Sequence, residues 1–515
     1  MMTTKYKGLD WANKLRVESA ACSSNEILPD QDQSVLHVLL AEAQGELDTL
    51  STEIPRLQAL LDNHKQRRAA SIERVTRLRM GIAPHKKLPP ELLARIFVES
   101  MDRGSVDLPL GGLPLPWVLA QVCSRWRMIS RSEPLLWSRL YISTLHTYRR
   151  KRSVVPLIKD ILSNHGGRGR VELTIGALTN GEWSEVPAFF QAHSSRVWKL
   201  NLAFGSQTFP IRALSEPLHL FDELQSLSLS LYRGDLLGHE SQAFYGFSTA
   251  RNLFELKINI SPQLSRSINL NGDMLPWAQL TSLTLSNMTA APILTFLTYC
   301  PLLINLVVKL PNARSHVSSS VVSLHQIQSL SITGSTCPHF GEILAGLMAP
   351  SLKKICLIKR SYQNDPLCLD DPLIMNLTTL LTRSRCDVDS FQTDSLVIKP
   401  TDMITLMRAM PALTDWSIPT QSYIPESILS TILDEGLVPN LRIVKGWEVQ
   451  SVHSILHFLN NRWSPTPSGE YKGIQHSTLN IKMPNYSLSD RKYFKNILPE
   501  LQTHGRRIQL RMGYH

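Results

Sequence analysis

The strongest constraint in this sequence is a spacing. Leu224, Leu227 and Leu229 stand in the order L-x-x-L-x-L. The order returns at Leu253, Leu256, Ile258, at Leu280, Leu283, Leu285, at Leu303, Leu306, Val308, at Ile327, Leu330, Ile332 and at Leu352, Ile355, Leu357. Earlier copies are Trp137, Leu140, Ile142 and Val197, Leu200, Leu202; weaker ones are Val388, Phe391, then Leu413, Trp416, Ile418, then Leu441, Val444. In mid-chain the copies are about 23–29 residues apart, a period in which each unit is a strand and a helical or irregular return. A unit that small cannot bury its strand alone, so units must stack strand beside strand. Residues 138–515 are therefore expected to be α/β: an irregular solenoid built on a parallel sheet.

Further features fit this reading. Pro301, Pro350, Pro411 and Pro439 precede copies of the motif, where a return helix must end before the next strand. The segments Ile293–Leu297, Phe340–Met348 and Met403–Met410 are apolar on one face and are the expected return helices. Val171–Ile175 reads as a strand, and Leu479, Ile481 and Ile508, Leu510, Met512 as closing strands. The stretch from Arg360 to Cys386 disturbs the period and reads as an inserted loop. The copies resemble the leucine-rich repeat family but lack its usual asparagine or cysteine; Tyr232, Met288 and Pro311 stand there. A mixed α/β domain without a regular solenoid is the competing arrangement. In a parallel sheet the residues between the leucines face outward. These include Ser226, Ser228, Ser230, Glu255, Lys257, Asn259, Ser282, Thr284, Ser286, Asn305, Lys309, Ser329, Ser331, Thr333, Lys354, Asp415 and Ser417, a mostly small and neutral polar face suited to binding a protein or simply to solvation.

Upstream the period changes to seven. Leu40, Leu47, Ile54, Leu61, Arg68, Val75 and Ala43, Leu50, Leu57, His64, Ser71, Leu78 form two interleaved sets. Such a stripe faces a partner helix, so residues 34–83 are expected to be a coiled-coil-like helix, kinked or split at Pro55. The stripe allows self-association through residues 40–78, a helix folded back on itself, or a single helix resting on the next domain. Residues 1–33 are expected to be flexible and carry no apolar secretory core.

Between these parts lies Leu88-Pro89-Pro90-Glu91-Leu92-Leu93-Ala94-Arg95-Ile96-Phe97, then an interruption from Asp102 to Leu115, then a second apolar pattern of Trp117, Leu119, Val122, Cys123 and Trp126, then Pro134-Leu135-Leu136-Trp137. By pattern, residues 84–137 form a small bundle of about three helices. In order and residue type, LPPELLARIF, VCSRW and EPLLW resemble the F-box family, and with the preceding heptad helix they resemble F-box proteins of mushroom-forming fungi. The family's join between the first two helices is shorter than residues 102–115. The resemblance implies a Skp-type adaptor as partner and, through it, a cullin. Leu88, Pro89, Leu92, Ile96 and Phe97 would supply one contact face, and Leu119, Val122, Cys123 and Trp126 the other.

The remaining chemistry is sparse. No phosphate-binding loop, dinucleotide fingerprint, nucleophile elbow or zinc-protease motif is found. The seven cysteines are odd in number and contain no CxxC pair, which fits a reducing compartment and neither a disulfide framework nor a zinc site. Gly166 to Arg170 reads as a turn, not a phosphate site. The apolar stretch Ala291–Leu310 carries Pro292, Pro301, Asn305 and Lys309, so no membrane span is expected. The net charge of +11, with a basic run at Tyr148–Arg152, admits nuclear residence and anionic partners. The expected protein is a cytoplasmic or nuclear adaptor, without catalytic residues or cofactors, that joins a ubiquitin ligase to an unidentified protein target. The alternatives are an interaction scaffold with no ligase role and a basic nucleic-acid-associated factor.

Overall fold

The computed structural model describes residues 11–101, 105–108, 114–142, 155–164, 169–176, 190–204, 221–231, 245–261, 272–311, 321–359, 367–449, 452–481 and 507–512, apart from short breaks within some of these ranges. The basic run at 148–152, Gly166 to Arg168 and Tyr232 lie outside the described residues.

Each copy of the leucine motif is a strand. They are Arg139–Ile142, Val197–Phe204, Ser226–Leu231, Glu255–Ile260, Ser282–Ser286, Asn305–Lys309, Ser329–Gly334, Lys354–Lys359, Ser390–Asp394, Asp415–Ser417 and Ile443–Val449. Val171–Ile175, His476–Ile481 and Arg507–Met512 are strands as well. Among the described residues they join one sheet of sixteen strands, laid down in chain order. Neighbouring strands in it pair in parallel. The architecture is α/β and solenoid-like.

Register explains why the motif recurs. Leu227, Leu256, Leu283, Leu306, Leu330 and Ile355 stand opposite one another on successive strands. None is more than 1% exposed. Each repeat thus adds one rung to a continuous apolar row, and truncating a rung to alanine costs about 2–5 kcal/mol. A backbone device fixes the step. The carbonyl of Gln225 accepts from the N–H groups of Phe254 and Glu255, each at 3.1 Å, and that of Phe254 from Thr281 and Ser282, each at 3.0 Å. Thr281, Ile304, Gln328, Lys353, Asp389 and Thr414 repeat the arrangement toward the following coil.

The returns carry helices at Ala290–Leu297, Cys337–Ala345 and Pro400–Ala409; the one expected over Phe340–Met348 ends at Ala345, and Leu347–Met348 is a short strand paired with Val322–Ser323. The stretch between Arg360 and Cys386 is not merely an inserted loop. Asp371–Ser384 is a helix of 14 residues and serves as the return of a longer unit. Its Arg383 guanidinium donates to the carbonyls of Leu344, at 3.3 Å, Ala345, at 2.9 Å, and Leu347. Those acceptors lie at and beyond the end of helix Cys337–Ala345, so Arg383 meets groups that a helix terminus leaves unpaired.

The N-terminal part differs from its expectation in two ways. Residues 1–33 were expected to be flexible, but Trp11–Ser23 forms helix α1. It packs on helix α2, Asp30–Gly81, with Val17 only 1% exposed and Lys14 paired to Glu42 at 3.1 Å. The second difference is at Pro55, where the helix is not split. Helix α2 continues through it, losing one backbone donor without a break in helical structure.

The chain divides into two compact units, residues 1–93 and 94–515. Within the interruption, Val106–Leu108 is a strand that pairs in parallel with Arg139–Ile142 and forms the first edge of the sheet. Val106 and Leu108 are fully buried and Asp107 is exposed, so alternation selects this strand.

Candidate docking surfaces

The helical segment starts with Pro84–Lys87, a single 3-10 turn capped by the half-buried Leu88. The exposed Pro89 follows, and its carbonyl accepts from the Leu93 N–H at 3.1 Å, which opens the helix α3, Pro90–Glu99. Proline at its first position lacks a donor that would be orphaned there anyway. The helical repeat then sorts the side chains. Leu93 and Phe97 are buried at 2% and 1%, whereas Leu92 and Ile96 are 48% and 49% exposed.

The second apolar pattern is not one helix. Helix α4 is Leu115–Val122 and helix α5 is Ser124–Ser132. Cys123 between them is extended, with φ −160° and ψ 171°. Its Sγ accepts the Trp126 N–H at 3.5 Å and so caps α5. The break resets the helical phase, which is why residues spaced as one face separate. Leu119 is buried, Trp126 is half-buried, and Val122 and Cys123 are exposed.

Phe97 and Leu119, expected as contact residues, thus belong to the core and offer a partner almost no surface. The Phe97 ring meets Trp126 with centroids 4.7 Å apart, and Trp117 meets Trp137 edge-on at 5.0 Å. The Trp137 indole donates to the Ser130 carbonyl, and the Ser130 hydroxyl to the Pro116 carbonyl, each at 2.7 Å. These contacts hold α4, α5 and the Pro134–Trp137 turn together. The expected contact residues left accessible are Leu88, Pro89, Leu92, Ile96, Val122, Cys123 and part of Trp126. Sequence reasoning missed Val118, Met128 and Leu135, which are 43%, 62% and 60% exposed. The four-residue step from Val118 to Val122 would have revealed the first, had the helix been ended at Cys123.

The outward row of the sheet is the second surface. At its N-terminal end it is an ionic ladder. Glu172 accepts from Lys199 at 2.7 Å and lies 3.5 Å from Arg139, and Glu255 pairs with Lys257 at 2.7 Å. Ser226 was expected on the open face but is only 2% exposed, because its hydroxyl donates to Glu255 at 2.6 Å. Ser286 is also buried, at 8%. Burial alone would raise the Glu255 carboxyl, but the hydrogen bonds from Lys257 and Ser226 and the charges of Lys257 and Lys199 hold it below its ordinary value. Further along, the middle row passes through Thr284, Val307, Ser331, Cys356 and Gln392, a neutral stretch. The Cys356 thiol there is pushed up by burial, against a hydrogen bond with Ser331. It is a weak nucleophile at neutral pH. Buried Cys300 is pushed up to about 12.

Among the described residues no group of three or more His, Cys, Asp or Glu is placed to hold a metal ion, and no helix is long and apolar enough to cross a membrane. No family model matches the chain, and no curated protein matches it significantly. Solved structures do. The complex of Rad7 and Elc1 in yeast matches at 16% identity and a TM-score of 0.31, over 74% of this chain and 92% of that one. A protein from Bacteroides fragilis matches at 12% identity and a TM-score of 0.27, over 66% of this chain and 74% of that one.

Proposed function

We propose that this chain is the target-recognition adaptor of a cullin-type ubiquitin ligase. The segment from Leu88 to Leu135 docks a Skp-type adaptor, and the open face of the sheet holds a protein target. The ubiquitin chemistry lies on other subunits, and this chain contributes proximity. One observation carries the reading. Within the stretch whose residues resemble an F-box, α3 leaves Leu92 and Ile96 exposed and α4 leaves Val118 and Val122 exposed, while Leu93, Phe97 and Leu119 beside them are buried. Apolar pairs one helical turn apart are what a groove on another protein takes up. The sheet suits the second role. Its outward residues are fixed in register by the backbone, so a target meets a preformed pattern of hydroxyls, amides and paired charges.

Co-purification of the full chain with a Skp-type adaptor tests the proposal. The unmodified chain is expected to bind, and the combination Leu92→Asp, Ile96→Asp and Val122→Asp to lose binding while retaining the circular dichroism of the parent. These positions are preferred to Phe97 and Trp126, whose replacement would disturb the core. Absence of binding by the parent, or binding unaffected by the three changes, would refute it.

A further inference from the structure

Helix α2 is exposed at every residue from 40 to 81, and Leu47, Leu50, Ile54, Leu57, Leu61, Val75 and Leu78 are each between 45% and 64% exposed along its heptad stripe. A stripe of that length costs free energy in water and marks a contact surface. The charge distribution along the same helix identifies what covers it. Residues 30–55 contain six acids and neither lysine nor arginine. Residues 56–81 contain seven basic residues and two acids. Those two acids, Asp62 and Glu73, lie 3.3 and 3.4 Å from Lys65 and Arg77 of the same helix. The second half therefore remains strongly basic.

We propose that α2 pairs antiparallel with α2 of a second copy of this chain. A parallel pair would set acid beside acid and base beside base along its whole length. An antiparallel pair sets each acidic half against a basic half. The heptads fix one register that satisfies both the stripe and the charges. Ile54 faces Leu57 of the second copy, Leu50 faces its Leu61 and Leu47 its His64. Glu46 then flanks its Arg67. Moving the register one heptad toward the N-terminus would bring the two Glu53 carboxylates together. Pro55 lies off the stripe. The central paired stretch, residues 47–64, is about 27 Å long at 1.5 Å per residue.

The N-terminal end of α2 supplies an independent fit. Helices α1 and α2 line a groove with Leu15, Leu36, Leu39 and Leu40 and with three acids, Glu18, Glu42 and Glu46, against one base, Lys14, which pairs with Glu42 at 3.1 Å. The same register carries the basic end of the second copy past this groove, with Val75 opposite Leu36. A stripe that ends in Val75 and Leu78, carries Arg68 and is flanked by Arg67, Arg74 and Arg79 complements in sign a groove whose lining carries a net acidic charge.

Sedimentation of the full chain over a range of concentrations tests the proposal. A dimer is expected. Leu50→Asp with Leu57→Asp should abolish it; both side chains are more than half exposed, so the change leaves the folded core intact. Arg67→Glu should weaken the dimer by at least about tenfold through like-charge contact. Adding Glu46→Arg to Arg67→Glu should restore it. In a parallel pair positions 46 and 67 are remote and no rescue follows. A monomer at all concentrations, a dimer indifferent to the two aspartates, or a failure of the charge swap to rescue overturns the proposal.

Discussion

Glu255 shows how one outward residue ties several strands together. It accepts from Ser226 on the preceding strand and from Lys257 on its own, and its pKa is depressed below the ordinary 4.5. A depressed carboxylate contributes stability that is fully present above its unfolded value and is lost as pH falls through the folded value. Glu255→Gln, which cannot ionise, should therefore lower the urea midpoint at pH 7. The difference from the parent should shrink as the pH is taken below about 4.5. A difference that stays constant down to acid pH would show that the carboxylate charge is not what matters. The ionic character of Glu172 and Glu255 was visible in the sequence, but their partners were not. Lys199 is 27 residues from Glu172 and reaches it only because parallel coils stack, at 2.7 Å.

At the scale of elements, phase decides what a sequence pattern reveals. The strands were legible because a parallel strand buried on one side needs only alternation, and Leu-x-Leu supplies it. The helices around Leu119 and Trp126 were harder. One extended residue, Cys123, restarts the count and reassigns every face after it. Another local irregularity sits at Gly446, where strand Ile443–Val449 bulges between Lys445 and Trp447. Gly446 has φ +78°, and a Cβ there would lie 1.8 Å from the Ile418 carbonyl oxygen. Gly446→Ala should cost at least about 2–3 kcal/mol. Gly436 has φ +62° with open space around it, so Gly436→Ala should cost only about 1 kcal/mol. Denaturant titration of the two variants checks the ranking, and equal costs would show that backbone strain outweighs the close approach.

Across the whole molecule, stability is distributed coil by coil. A strand such as Ser282–Ser286 is hydrogen-bonded on both sides, whereas among the described residues Val106–Leu108 lies at the edge and pairs only with Arg139–Ile142. Solenoids open from the units with fewest neighbours. Amide exchange at residues 106–108 should therefore be orders of magnitude faster than at 282–286 and 305–309, and uniform exchange would mean that the sheet opens as one unit. By itself the sequence determined the parallel α/β solenoid, the heptad helix and the short apolar helices between residues 84 and 137, since each rests on a short-range period that survives without knowledge of neighbours. Tertiary structure alone decided three things. It drew Val106–Leu108 from an apparent loop into the sheet, folded Trp11–Ser23 onto α2, and turned Phe97 and Leu119 inward while leaving Leu92, Ile96, Val118 and Val122 exposed. These outcomes depend on which surfaces meet in space, and the apolar residues that meet there are spelled no differently from those that remain open to a partner.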